Sequence, residues 1–192
     1  RNGYTNIVCL TALLIGLCII GCHSKQKLFD KINSGISGIH FNNVITENDS
    51  INPIDKEFLY NGGGVAAGDF NNDGLQDLYF TAGMVSNKLY LNKGGFVFKD
   101  VTETAGVGGK GRWCDGASVV DINNDGLLDI YVCVTIKANP AERTNLLYIN
   151  QGLNKDHVPV FNYMAAEDGL ADTSFSVQAA FFDYDNDGDL DM

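Results

Sequence analysis

The sequence predicts an all-β protein assembled from repeated four-stranded units. Three observations carry that expectation. The chain is similar to itself in three places. The repeated segments are short and rich in Val, Ile, Tyr and Phe. Gly and Asn punctuate them at turn positions. After residue 27 no long stretch of helical period competes with this reading.

The first copy is GGGVAAGDFNNDGLQDLYFTAG from Gly62, the second DGASVVDINNDGLLDIYVCVTI from Asp115, and the third VQAAFFDYDNDGDLDM from Val177. Their leading loop aspartates, Asp69, Asp121 and Asp183, are spaced by 52 and then 62 residues. A second element follows each complete loop: NKLYLNKG from Asn87 and NLLYINQG from Asn145. A third runs from Phe98 to Val101 and ends at Gly106-Val107; its counterpart runs from Phe161 to Met164 and ends at Gly169-Leu170. Each unit therefore reads strand, acidic loop, strand, turn, strand, turn, strand. Four strands in about 50 to 60 residues is the size of one propeller blade. The segment 28–192 then holds two blades and the start of a third. So few blades cannot close a ring and would leave sheet faces and edges exposed, so the sequence is read as part of a longer protein. Phe29 to Ile32, ending at Gly38-Ile39, looks like an extra copy of the third element. Leu28–Phe41 is expected either to complete the last blade of a ring as its outer strand or to pack locally as a strand.

Charge points to the loops between the first two strands of each unit. The chain has 192 residues, 45% of them hydrophobic, and a net charge of -11. That acidity argues against nucleic-acid binding, which needs basic surface. Of the 24 acidic residues, 11 sit in the three loops. Clustered carboxylates repel, and a bound divalent cation relieves the repulsion. Calcium takes six to eight hard oxygens. The first loop offers the side chains of Asp69, Asn71, Asp73 and Asp77 and the carbonyl of Leu75, with Gly74 at the sharp turn. The second offers Asp121, Asn123, Asp125 and Asp129 with the Leu127 carbonyl. The third offers Asp183, Asp185, Asp187 and Asp191 with the Asp189 carbonyl. One Ca2+ per loop, three in the chain, is the expectation. An EF-hand does not fit: its twelfth position, a Glu, is Phe80 or Val132 here, and the flanks read as strands. A bare solvated turn explains one such loop but not three in matching context.

The N-terminus reads as an address. Ile7–Ile20 is an apolar run of 14 residues, short for a bilayer span and suited to the core of a signal peptide. It ends at Gly21-Cys22, which resembles the bacterial lipobox. That resemblance implies a signal peptide over 1–21, cleavage before Cys22, acylation of Cys22 and a tether over 22–27. The alternative is a short transmembrane anchor or a core helix. Cys9 and Cys18 lie within the run. For the folded part, pairing Val120 with Ile130 places Ala117 near Cys133 and leaves Cys114 off the end. Two separate buried thiols are expected there rather than a bridge.

The runs GVAAGDFNNDGLQDLYF, ASVVDINNDGLLDIYV and FFDYDNDGDLDM resemble the FG-GAP/VCBS repeats of integrin-α-like β-propellers. With NKLYLNKG, FKDVTETAGV and the opening Asn61-Gly-Gly-Gly64, the chain looks like bacterial VCBS-repeat lipoproteins related to the cartilage acidic protein and ASPIC/UnbV group. The resemblance implies a propeller of about seven blades with calcium in the loop joining the first two strands of a blade. The lipobox-like Cys22, the repeats and the lack of catalytic residues together point to an extracytoplasmic, lipid-anchored protein of the bacterial envelope, at the outer membrane, binding a protein or glycan. The alternatives are part of a propeller-based polysaccharide-active enzyme, or a structural subunit of an outer-membrane assembly.

No catalytic constellation is legible, so a non-enzyme is expected. His23, His40 and His157 are scattered. Ser118, Ser174 and Ser176 lack a nucleophile-elbow context, and Gly62 to Gly64 lacks the residues of a phosphate loop. Arg112 and Trp113, after the glycine-rich run from Gly106 to Gly111, could face a ligand, although packing of Trp113 between blades is favoured. The polar loop Lys137–Arg143 is another candidate contact.

Overall fold

The computed structural model describes residues 27–192, so the apolar run and Cys22 lie outside the described residues. Residues 27–31 belong to one compact unit and form neither helix nor strand; Leu28 and Phe29 there are exposed. Residues 32–192 form a second compact unit. Among the described residues no helix is long and apolar enough to cross a membrane.

The second unit contains two four-stranded antiparallel sheets, the two predicted blades. The first comprises β1 (Val65–Gly68), β2 (Asp77–Phe80), β3 (Lys88–Asn92) and β4 (Phe98–Asp100), in that spatial order. The second comprises β5 (Cys114–Val120), β6 (Asp129–Val134), β7 (Leu146–Leu153) and β8 (Pro159–Tyr163), also in order. The first two acidic loops each join the first two strands of a blade, and the innermost strands β1 and β5 lie side by side.

Alternation within the strands sets the packing, because successive side chains point to opposite faces. Tyr79, Leu89 and Leu91 from the first blade meet Ile130, Val132, Val134, Leu146 and Tyr148 from the second in one core. The other face of the second blade, Tyr131, Cys133, Leu147 and Ile149, packs with Leu170 at the end of the second repeat and with Ala179 and Phe181 at the start of the third. Every residue of β6 is accordingly buried, whereas β2 alternates buried and half-buried positions.

A buried Asn–Tyr pair recurs in each blade. Asn87 donates Nδ2 to the Tyr79 hydroxyl (2.9 Å), Tyr79 donates to the Val107 carbonyl (2.7 Å), and the Ala82 N–H donates to Asn87 Oδ1 (2.9 Å). In the second blade Asn145, Tyr131, Leu170 and Val134 repeat the arrangement at 3.0, 3.1 and 2.7 Å.

Several expectations are corrected. β5 and β6 pair one residue out of the expected register: Val120 faces Asp129, Val119 faces Ile130 and Ala117 faces Val132. The cause is that Asp129, the last acidic residue of the loop, enters β6 as its first residue. A bulge then places Cys114 opposite Val134. Cys114 and Cys133 are separate buried thiols, as expected. The third copy forms its loop with a single bridge, Phe182 to Asp191, rather than a hairpin of regular strands.

Across 28–41 no strand forms. Ser34–Ser37 makes one helical turn (α1), capped by the Asn33 side chain and ended by Gly38 at φ 73°. The matching segment Thr102–Ala105 (α2) ends at Gly106 with φ 79°. Gly38 approaches the Phe98 carbonyl, and Gly106 approaches the Phe161 carbonyl. The turn Ser34–Gly38 therefore stands against the first blade's outer strand as the end of the first blade stands against the second. Phe41 then stacks on Phe80 with 5.1 Å between ring centres. Trp113 is buried and packs flat on Gly83, where a Cβ would come within 2.6 Å of the indole.

Candidate metal centres

The three acidic loops share one conformation. The first aspartate of each closes the loop through backbone N–H donors. In the first loop Asp73 N–H donates to Asp69 Oδ1 (3.0 Å) and Gly74 N–H to Asp69 Oδ2 (2.7 Å). In the second, Asp125 and Gly126 donate to Asp121 at 3.0 and 2.8 Å. In the third, Asp187 and Gly188 donate to Asp183 at 3.1 and 3.2 Å. The fifth-position aspartates Asp73, Asp125 and Asp187 each accept from the N–H two residues on, of Leu75, Leu127 and Asp189. Asn72, Asn124 and Asn186 all take positive φ (54°, 61° and 63°), which Asn tolerates better than other side-chain-bearing residues. The loop shape is thus a local property of the sequence, since the third copy adopts it without regular flanking strands.

In the third loop the carboxylates of Asp183, Asp185 and Asp187 each present an oxygen, all within 4.8 Å of one another. Calcium–oxygen distances of about 2.4 Å put opposed ligands about 4.8 Å apart, so these oxygens can share one coordination sphere. A hydrogen bond with the Asp187 side chain, and after it the charge of that neighbour, pushes the Asp189 carboxyl above its usual range. In the first two loops the third position is an amide. Asn71 Nδ2 donates to Asp73 Oδ2 (3.0 Å), and Asn123 Nδ2 to Asp125 Oδ2 (2.9 Å). Each amide oxygen in turn accepts the backbone N–H of the same aspartate, Asp73 or Asp125, at 3.2 Å. The donor set, hard carboxylate and amide oxygens on exposed loops, fits calcium in all three.

The ninth-position aspartates do something the sequence reading missed. Asp77 and Asp129 are fully buried, and each grips two backbone donors. Asp77 accepts from Phe70 N–H (3.1 Å) and Asn92 N–H (2.7 Å), tying the loop to β3. Asp129 accepts from Ile122 N–H (3.0 Å) and Asn150 N–H (2.8 Å), tying its loop to β7. Asp191 accepts from Tyr184 N–H at 2.9 Å. Burial pushes the carboxyls of Asp77 and Asp129 up to about 6, partly offset by these N–H donors. Asn92 and Asn150 stood in the LYLNKG and LYINQG motifs without an assigned role; their recurrence at the same repeat position was the available signal.

At the other end of the blades lies a surface cavity of about 450 Å³, its lining including Ile54, Phe58, Asp115, Ile136, Phe175 and Val177. From the polar loop 137–143, Arg143 lies 4.2 Å over the Phe175 ring and donates to the Thr173, Lys137 and Ala138 carbonyls. It therefore organises the rim of this cavity.

Residues 69–132, about a third of the chain, match the FG-GAP-like repeat family. The matched stretch runs from the first acidic loop into β6. None of the curated proteins matches the chain.

Proposed function

We propose that this FG-GAP-like repeat chain is a calcium-stabilised binding module of the bacterial envelope, anchored through a lipidated Cys22. It holds a protein or glycan partner and carries out no chemistry of its own. The observation that supports calcium most directly is the convergence of Asp183, Asp185 and Asp187, together with the identical fold of the two loops before them. Asp69, Asn71, Asp73 and Asp77 with the Leu75 carbonyl would hold one ion, and the equivalent residues of the other loops two more. Bound calcium would supply positive charge against the clustered carboxylates. The partner would use the loops and the apolar cavity at the opposite end, where Phe58 and Phe175 stand exposed.

Thermal unfolding with calcium and with excess chelator tests the metal. A hundredfold excess over the dissociation constant adds about 2.7 kcal/mol, a rise of about 5–10 °C for a unit of this size. Superimposable melting curves would refute structural calcium. Glycan-array and pull-down binding that is equally strong in chelator would separate the binding role from the metal.

A further inference from the structure

We propose that the first two acidic loops bind calcium cooperatively and that Asn150 is the residue that couples them. This rests on the calcium reading above. A buried chain of hydrogen bonds joins the ninth-position aspartates of the two loops. Asp77 Oδ2 accepts from Phe70 N–H at 3.1 Å. The Phe70 carbonyl accepts from Asn150 Nδ2 at 3.0 Å, across the interface between blades. The backbone N–H of Asn150 donates to Asp129 Oδ1 at 2.8 Å. None of the four residues is more than 1% exposed. Water is thus excluded from the route, and breaking any link orphans a buried polar group.

Phe70 is well placed to carry the effect. It lies between the ligands Asp69 and Asn71, and its carbonyl belongs to the peptide plane that carries the Asn71 nitrogen. Fixing that carbonyl fixes the direction from which Asn71 approaches the first site. The Asn150 amide has little freedom. It also donates to the Leu128 carbonyl (3.2 Å), and its oxygen accepts from Gly152 N–H (3.0 Å). A second, exposed link runs from Asn72 Nδ2 to the Gly126 carbonyl at 3.4 Å.

Asn92 provides the internal control. It occupies the same repeat position and makes the same backbone bond to Asp77, and its amide bonds the Gln76 carbonyl and Gly94 N–H. Among the described residues it reaches no other loop. A cation drawing on Asp129 therefore orders Asn150, then Phe70, then the ligands flanking Phe70. By linkage the effect runs equally in reverse.

The test is a calcium titration of the full chain followed by amide NMR. Gly74 and Gly126 report their own loops, since each donates its N–H to that loop's first aspartate. Asp125→Ala, which disables the second loop, should weaken calcium binding at Gly74 about fivefold or more. In an Asn150→Ala background this cross-effect should shrink to what the exposed Asn72–Gly126 link carries; in an Asn92→Ala background it should persist in full. The Asn150 side-chain resonance should shift when calcium loads the first loop alone in the Asp125→Ala chain, a readout that needs no change at Asn150. If neither glycine responds to calcium in the unaltered chain, the calcium reading fails and the coupling with it. Two responding loops with a Gly74 midpoint indifferent to Asp125→Ala would overturn the coupling alone. An unmoved Asn150 resonance, or a cross-effect undiminished by Asn150→Ala, would overturn the assigned route.

Discussion

Asn145→Ala should be among the more damaging single changes in the second blade. The Asn145 amide makes three hydrogen bonds, two to β6 and one to the segment after β8. Its oxygen accepts from the fully buried Val134 N–H at 2.7 Å, and its Nδ2 donates to the Tyr131 hydroxyl and the Ser176 hydroxyl, each at 3.0 Å. Truncation leaves the Val134 N–H without a partner, at a cost of about 1–3 kcal/mol. Losing the neutral bond to Tyr131 adds about 1 kcal/mol, while Tyr131 keeps its own bond to the Leu170 carbonyl at 3.1 Å. The Ser176 bond is partly solvated and contributes little. The sum is about 2–4 kcal/mol, a fall in melting temperature of about 5–15 °C. Asn145 lies at the end of the sheet away from the acidic loops, so the loss should be the same with calcium and with chelator. Thr144→Ala, next to it and more exposed, should change stability by less than about 0.5 kcal/mol. A loss for Asn145→Ala below 1 kcal/mol, or one that disappears in chelator, would refute the reasoning.

Gly83→Ala should destabilise by about 1–3 kcal/mol in chemical denaturation, because the new Cβ falls on the rigid Trp113 ring; a neutral result would mean the indole can retreat. Burial pushes the thiols of Cys114 and Cys133 up to about 11, so peptide mapping after treatment with a disulfide reagent at pH 8 should find both unlabelled until the protein unfolds. Burial pushes the Asp100 carboxyl up, but hydrogen bonds from Thr102 and the 2.9 Å pair with Lys88 outweigh it and hold the value below the usual range. Its small contribution is therefore complete above the ordinary carboxylate value and lost as pH falls through the lower folded one, so Asp100→Asn should flatten that part of a stability–pH curve.

The blades and loops were legible in the sequence because both depend on local periodicity. Alternating Leu and Tyr in β2 and β3 marks a two-faced strand, and Asp or Asn at every second position before a Gly marks a tight acidic loop. The one-residue register error at Val120 arose where these two patterns overlap, at an aspartate that is loop by chemistry and strand by geometry. The turns at Ser34–Ser37 and Thr102–Ala105 were missed because four residues are too few to show a helical period. Asn87, Asn145 and Asn150 read as turn formers in isolation. Their partners, Tyr79, Tyr131 and the Phe70 carbonyl, lie 8, 14 and 80 residues away, and only the folded sheets bring them close.

That long-range bonding bears on what a loop cation could stabilise. A single hairpin such as β1–β2 is marginal in water, and the loop that closes it would add little if its effect stopped there. The first loop does not stop there. Phe70, its second residue, inserts its ring into the core shared by the two blades, 6.1 Å edge-on from Phe161. Gly68, just before the loop, is walled by Val119 and Leu128 of the next blade. A cation ordering Asp69 and Asn71 would hold the chain on both sides of a residue wedged into the seam. The element it would stabilise is the interface between blades. Chelation should accordingly raise hydrogen exchange at the Phe70 and Asn150 amides in the seam as well as at the loop tip; protection lost at Gly74 alone would confine the metal's effect to the hairpin.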